Sequence, residues 1–152
     1  MSANFLAFCW EQGVRKGRSH MVVLSKNSGS LFGYAGTLNE LGYYSVSLCV
    51  CVQEVADLLG AGGRIEYLVY DGFDLGKDAD RLQMLIKHNA INSIIAVADV
   101  NSRQRKKIML WARAYRVPLR GVLQAPLRPG ELHELIELSS VNIERSSFAS
   151  GR

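Results

Sequence analysis

The stretch EYLVYDGFDL, residues 66–75, decides how the rest of the chain is read. Ile65 and Tyr67 to Tyr70 form a short run of β-branched, aliphatic and aromatic residues that stops on an acid, Asp71. Gly72 and Gly76 then interrupt it before Leu82, Leu85 and Ile86 recur at helical spacing. A continuous apolar run of this length marks a strand buried on both faces, and the periodic segment after it marks the helix that covers it.

The same unit repeats on either side. Upstream, Met21-Val22-Val23-Leu24 is a buried strand, and Ser28 or Ser30 is placed to cap a helix carrying Leu31, Tyr34, Ala35, Leu38 and Leu41. Gly42 stands where helices stop. Tyr44 to Val50 reads as a second strand, followed by a short helix (Val52, Val55, Ala56, Leu59) and the turn Gly60-Ala61-Gly62-Gly63. Downstream, Ser93 to Ala98 is a fourth strand. Ser102 is expected to cap a helix with Ile108, Trp111, Ala112 and Tyr115 on one stripe. Leu119 to Leu123 is the fifth strand, and Pro129 opens a last helix that turns Leu132, Leu135 and Ile136 inward. Five strands alternating with five helices define an α/β chain, a (βα)5 doubly wound five-stranded parallel sheet. The expected organisation is a leader or extra helix over 1–19, one domain over 20–138, and a flexible tail or linker over 139–152.

Bulk properties narrow the function. The chain has 152 residues and is 48% apolar, enough for one domain with its own core. No apolar run spans a bilayer, and the N-terminal aromatic cluster precedes its basic residues, unlike a signal peptide, so a cytoplasmic protein is expected. Cys9, Cys49 and Cys51 form neither a disulfide framework nor a zinc motif; Cys49 and Cys51 alternate on one strand face and are expected to be small buried hydrophobes. The net charge of +4 is unevenly spread: Arg103, Arg105, Lys106, Lys107, Arg113, Arg116, Arg120 and Arg128 form a run without an acid. Such a run suits an acidic partner. Its start opposes the dipole of the fourth helix, a small local cost.

In doubly wound sheets the chemistry gathers at the carboxyl ends of the strands. The residues there are Ser25, Lys26, Asp71, Asp74, Ala98, Asp99, Gln124 and Ala125. With the segments MVVLSKN, ELGYY, EYLVYDGFDL, SIIAVAD and RGVLQAPLRPGELHELI in this order and spacing, the chain from His20 to Leu138 resembles the bacterial response-regulator receiver domain, in a degenerate form. The resemblance implies a flavodoxin-like fold and a place in two-component, phosphorelay signalling. It makes Asp71 the equivalent of the phosphoacceptor. It also places Ser25 and Lys26 where the family has an acidic pair that binds Mg²⁺, Ala98 where it has a hydroxyl, and Ala125 where it has a lysine before proline.

Four of five positions thus lack the family's functional group. A lysine about 4 Å from the acceptor would repel a cation by roughly 4 kcal/mol at an effective dielectric near 20. Mg²⁺ binding is therefore expected to be lost, with no other cofactor, no metal and no enzymatic activity. Lys26 has two expected placements: paired with Asp71 in the metal's position, or pointing to solvent. Asp74 and Asp99 are read as solvated loop carboxylates. The function expected is a signal-transduction module that binds a protein partner or output domain, the candidate residues being Arg103, Lys106, Lys107 and Arg120, with homodimerisation through the fourth helix, fifth strand and fifth helix also allowed. The alternatives are a response regulator still phosphorylated on Asp71, or nucleotide or nucleic-acid binding by the basic face Arg103–Arg128; the second lacks a recognition-helix signature and interleaved aromatic residues.

Overall fold

The computed structural model describes residues 21–42, 45–128 and 130–137. Five strands form one parallel sheet: β1 (Met21–Leu24), β2 (Val46–Cys49), β3 (Ile65–Asp71), β4 (Ile91–Ala98) and β5 (Leu119–Gln124), in the order β2-β1-β3-β4-β5. The helices between and after them are α1 (Ser28–Glu40), α2 (Val52–Gly60), α3 (Leu75–Ile86), α4 (Ser102–Ala114) and α5 over 130–137. The expectations for 1–19 and 139–152, and the placement of Pro129 at a helix start, lie outside the described residues.

The sheet divides the core in two. On one side Val22, Leu24, Leu68, Tyr70, Ile94 and Ala96 pack with Val55, Leu58 and Leu59 of α2, Leu82 and Leu85 of α3, and Ile108 and Ala112 of α4. On the other, Val23, Val69, Ile95 and Val97 pack with Leu31 and Leu38 of α1 and Leu132 and Ile136 of α5. Successive strand residues thus face opposite layers of helix, which is why the strands are apolar without alternation.

The connectivity sets the place of the site. The chain leaves β1 for β2 on one side, then crosses to β3 on the other. The crevice so opened lies between the carboxyl ends of β1 and β3, where Ser25 and Asp71 stand. Behind Asp71 the chain turns on Gly72, whose φ of 75° is in the left-handed region that glycine adopts without steric cost. The amides of Gly72 and Phe73 both donate to the Val97 carbonyl, fastening this loop to β4.

Several local expectations are corrected. β2 ends at Cys49, because the chain bends at Val50 and Cys51 to begin α2; Cys49 is buried and Cys51 is exposed, so the two do not share a buried face. The cap of α4 is Asn101, not Ser102. Its Oδ1 accepts from the Gln104 amide at 2.8 Å and the Gln104 Oε1 accepts from the Asn101 amide at 2.9 Å, a reciprocal capping box. Leu41 and Tyr115, read as inward, are exposed at the ends of α1 and α4.

Candidate functional site at the carboxyl edge of the sheet

Ser25 is the first residue beyond β1 and is 2% exposed. Its amide donates to the Cys49 carbonyl at 3.0 Å, which holds it against β2. Its Oγ accepts from the Asn27 amide at 3.2 Å and donates to Asp71 Oδ2 at 2.9 Å. The first bond occupies the oxygen as an acceptor and leaves its proton directed at the carboxylate. A hydroxyl on an ionised acid makes a charge-assisted bond, stronger than a neutral one. Asp71, the last residue of β3, is half-buried.

Lys26 does not take the metal's position. Its residue is exposed, and it forms no ion pair among the described residues. The physical reason is local: the buried Ser25 faces Asp71 while the next residue turns to solvent. The other neighbour of Asp71 is Tyr34 of α1, which sequence periodicity assigned only to the core. Burial, and then the charge of Asp71, hold its phenol above its ordinary pKa, so it stays neutral.

The remaining positions lie along the same edge. Ala98 ends β4 and is buried; its carbonyl accepts from the Ala125 amide at 3.0 Å. Ala125 is half-buried and precedes Pro126 through a cis peptide. Neither methyl group offers a hydrogen bond or a charge to a ligand. Asp99 is exposed and its Oδ1 accepts from Gln124 Nε2 at 2.7 Å, so it is tied to β5. Asp74 is exposed, with its amide donating to Asp78 Oδ2. The donor set around Asp71 is one carboxylate, one hydroxyl already committed and one neutral phenol. Mg²⁺ is held through one or two carboxylates with waters completing an octahedron, and of these groups Asp71 alone brings a negative charge. Among the described residues no group of three histidine, cysteine, aspartate or glutamate side chains is placed to hold a metal.

Two buried carboxylates near the edge escaped sequence reading. Asp78, 1% exposed, accepts from the Tyr70 hydroxyl at 2.9 Å and from the Asp74 amide at 2.9 Å. Burial first, then that hydrogen bond and the Asp78 charge, push the Tyr70 phenol far above its ordinary range, against a smaller opposing effect of Arg81. Glu54 Oε1 accepts from the Val50 amide at 2.7 Å and so secures the bend after β2. Both acids serve helix starts. From Tyr70 an aromatic row continues through Phe73 and Trp111 to Tyr115, with ring centroids 5.3, 5.9 and 6.2 Å apart.

The basic residues separate into two groups. Arg103, Lys106 and Lys107 are exposed along α4. Arg120 is the extra residue of a bulge, since Leu119 pairs with Ile94 and Gly121 with Ile95. The bulge aims its Nε at the buried Ser93 Oγ, 2.9 Å away. Arg120 therefore stands toward the amino edge of the sheet with a structural partner, apart from Arg103 at the start of α4.

The order of the sheet, the two helix layers and the crevice between β1 and β3 define the class: this is the receiver fold of CheY-like response regulators. Solved structures agree. A protein named for pilus assembly (CpaE) from Burkholderia thailandensis is 23% identical with a TM-score of 0.62, over 82% of this chain and 99% of that one. A CheY-like response regulator receiver domain from Methanospirillum hungatei is 12% identical with a TM-score of 0.61, over 84% and 98%. A CheY-like response regulator from Mesorhizobium loti is 23% identical with a TM-score of 0.55, over 80% and 98%. No family model matches the chain, and no curated protein matches it in sequence. Among the described residues no helix is long and apolar enough to cross a membrane.

Proposed function

We propose that this chain is a cytoplasmic pseudo-receiver: a signalling module that acts by binding a protein partner or output domain, without phosphorylation of Asp71 and without enzymatic activity. The observation that carries the proposal is the 2.9 Å hydrogen bond from Ser25 Oγ to Asp71 Oδ2. In phosphoryl transfer to an aspartate the carboxylate attacks, a cation offsets the charge on the transferred group, and fixed donors hold its oxygens. Electrostatic support of this kind is the main source of rate in such reactions. Here the attacking group is engaged by a neutral hydroxyl, the neighbouring cationic residue points to solvent, and alanines stand at positions 98 and 125.

The working surface on this proposal is α4 with its neighbours. Exposed Arg103, Lys106 and Lys107 supply binding groups there, while Arg120, also exposed, is held by Ser93 toward the amino edge of the sheet. The test is incubation of the full chain with a small phosphodonor such as acetyl phosphate, with and without Mg²⁺, followed by intact-mass measurement. An unchanged mass is expected. A phosphoryl adduct that disappears in Asp71→Asn would replace the proposal with that of an atypical but working response regulator.

A further inference from the structure

Asp71 is followed by glycine, and this is the chain's one Asp-Gly pair; the sequence has no Asn-Gly pair. An aspartate before glycine has a reaction open to it that needs no cofactor. The glycine nitrogen attacks the side-chain carbon Cγ. An N–C bond forms, the amide hydrogen and the carboxyl hydroxyl leave as water, and a cyclic imide results. Water then opens the ring at either carbonyl. One opening restores aspartate; the other routes the main chain through Cγ as isoaspartate, with no net change of mass. Glycine permits this because it has no Cβ to obstruct the close approach of its backbone. Gly72 is exposed and Asp71 half-buried, so water reaches the pair.

The folded chain holds the two reacting groups apart. The sheet order places β1 on one side of β3 and β4 on the other. Ser25, just beyond β1, draws the carboxylate one way through its 2.9 Å hydrogen bond to Oδ2. Val97 of β4 draws the Gly72 amide the other way, since that N–H donates to the Val97 carbonyl at 2.9 Å. The same carbonyl accepts from the Phe73 amide at 3.0 Å, and Phe73 is buried, so the chain is tied down beyond the nitrogen as well. Ring closure needs both bonds broken and the peptide turned out of the ladder in which Asp71 pairs with Val97. We infer that Asp71–Gly72 is a latent isomerisation site, and that Ser25 and Val97 hold it shut by anchoring its carboxylate and its amide to opposite neighbours. Isoaspartate there inserts an extra main-chain carbon at the end of β3. Gly72 and Phe73 then lose their register with Val97, and Ser25 loses its acceptor, so an opening of this edge that is followed by reaction stays open.

The test ages the purified full chain in warm neutral buffer without a phosphodonor, so its outcome is independent of whether Asp71 can be phosphorylated. Peptide mapping then measures the isoaspartyl form at position 71, which keeps its mass, elutes separately and resists an aspartate-specific protease. The synthetic peptide EYLVYDGFDL is the unconstrained reference. The folded chain is expected to isomerise at least about tenfold more slowly than the peptide, the effect of two net hydrogen bonds. Ser25→Ala should isomerise about fivefold faster than the parent, the effect of one such bond. Two controls should stay near the parent's rate: Ser25→Thr, which keeps the hydroxyl, and Ile136→Val, which loosens the core layer packed by α1 and α5 and leaves the crevice bonds in place. A parent chain that isomerises as fast as the peptide overturns the inference, as does a peptide that forms no isoaspartate. Equal rates in Ser25→Ala and the parent overturn the anchoring by Ser25. Equal acceleration by Ser25→Ala and either control overturns it too, since the reaction would then follow general loosening of the fold and not the loss of one hydroxyl.

Discussion

The crevice between β1 and β3 and the outer ridge of α4 differ in how their polar groups are satisfied. In the crevice the polar groups of Ser25 have partners within the chain: it gives its proton to Asp71, receives one from the Asn27 amide, and its own amide is anchored to Cys49. On α4 the cations have none among the described residues. A site that is to bind a small charged group keeps some of its own groups unsatisfied until the ligand arrives. On the proposed function the crevice is closed as a chemical site, and the exposed side of α4 carries the binding.

The largest test of this contrast reopens the crevice. Ser25→Asp with Lys26→Asp puts two more carboxylates beside Asp71, one of them at a position that is 2% exposed. Without a cation the double variant is expected to lose about 3 kcal/mol of stability, since an added buried charge lacks a partner. Mg²⁺ should restore much of that loss, read as a rise in melting temperature that the parent protein does not show. A variant equally stable with and without Mg²⁺ would mean that more than the two residues closes the crevice.

Next in size is Tyr70→Phe, which removes the hydroxyl from the buried Asp78. A loss of about 1–3 kcal/mol is expected, the cost of leaving a buried acceptor short of a donor. The pH dependence has a defined sign. The folded-state phenol is raised above its ordinary value of 10.0. Its contribution is therefore whole below about pH 10 and falls progressively as pH rises from there towards the raised folded-state value, because over that interval only the unfolded chain releases the proton. Chemical denaturation at pH 8 and pH 11 should show the parent losing more stability over that interval than Tyr70→Phe. Asn101→Ala should cost about 1 kcal/mol by removing one half of the capping box from a helix whose first turn is basic. Smallest of all, Lys106→Glu should change stability by less than about 0.5 kcal/mol, since an exposed side chain without partners has little to lose in the folded protein. A large loss there would assign the α4 cations to the fold and not to a partner.

The sheet was legible in the sequence because strands buried on both faces leave unbroken apolar runs, as at Val22-Val23-Leu24 and Ile94-Ile95, and because each run ends on a residue that breaks the pattern. Asp71 could be placed for that reason. The bond from Ser25 to Asp71 could not, since the serine hydroxyl and the neighbouring Lys26 ammonium are both plausible partners for a carboxylate 46 positions away. Which one turns inward depends on where β1 ends. Asp78 and Glu54 look like solvated helix acids in sequence; only the tertiary structure brings Tyr70 and the bent chain at Val50 onto them. Cys51 was misplaced for a related reason: alternation continues past Cys49 in the sequence, while the strand does not. The bulge that brings Arg120 onto Ser93 was not legible either, because the redirection of a side chain leaves no mark in charge patterning.

The most direct measurement is the amide NMR spectrum of the full chain titrated with Mg²⁺ and then with beryllium fluoride, a mimic of a phosphoryl group on aspartate. The account predicts that Ser25, Lys26, Asp71, Gly72 and Ala98 keep their shifts through millimolar Mg²⁺ and after the fluoride is added. Saturable shifts centred on Ser25 and Asp71 would contradict it and show that the crevice still accepts the metal and the phosphoryl group.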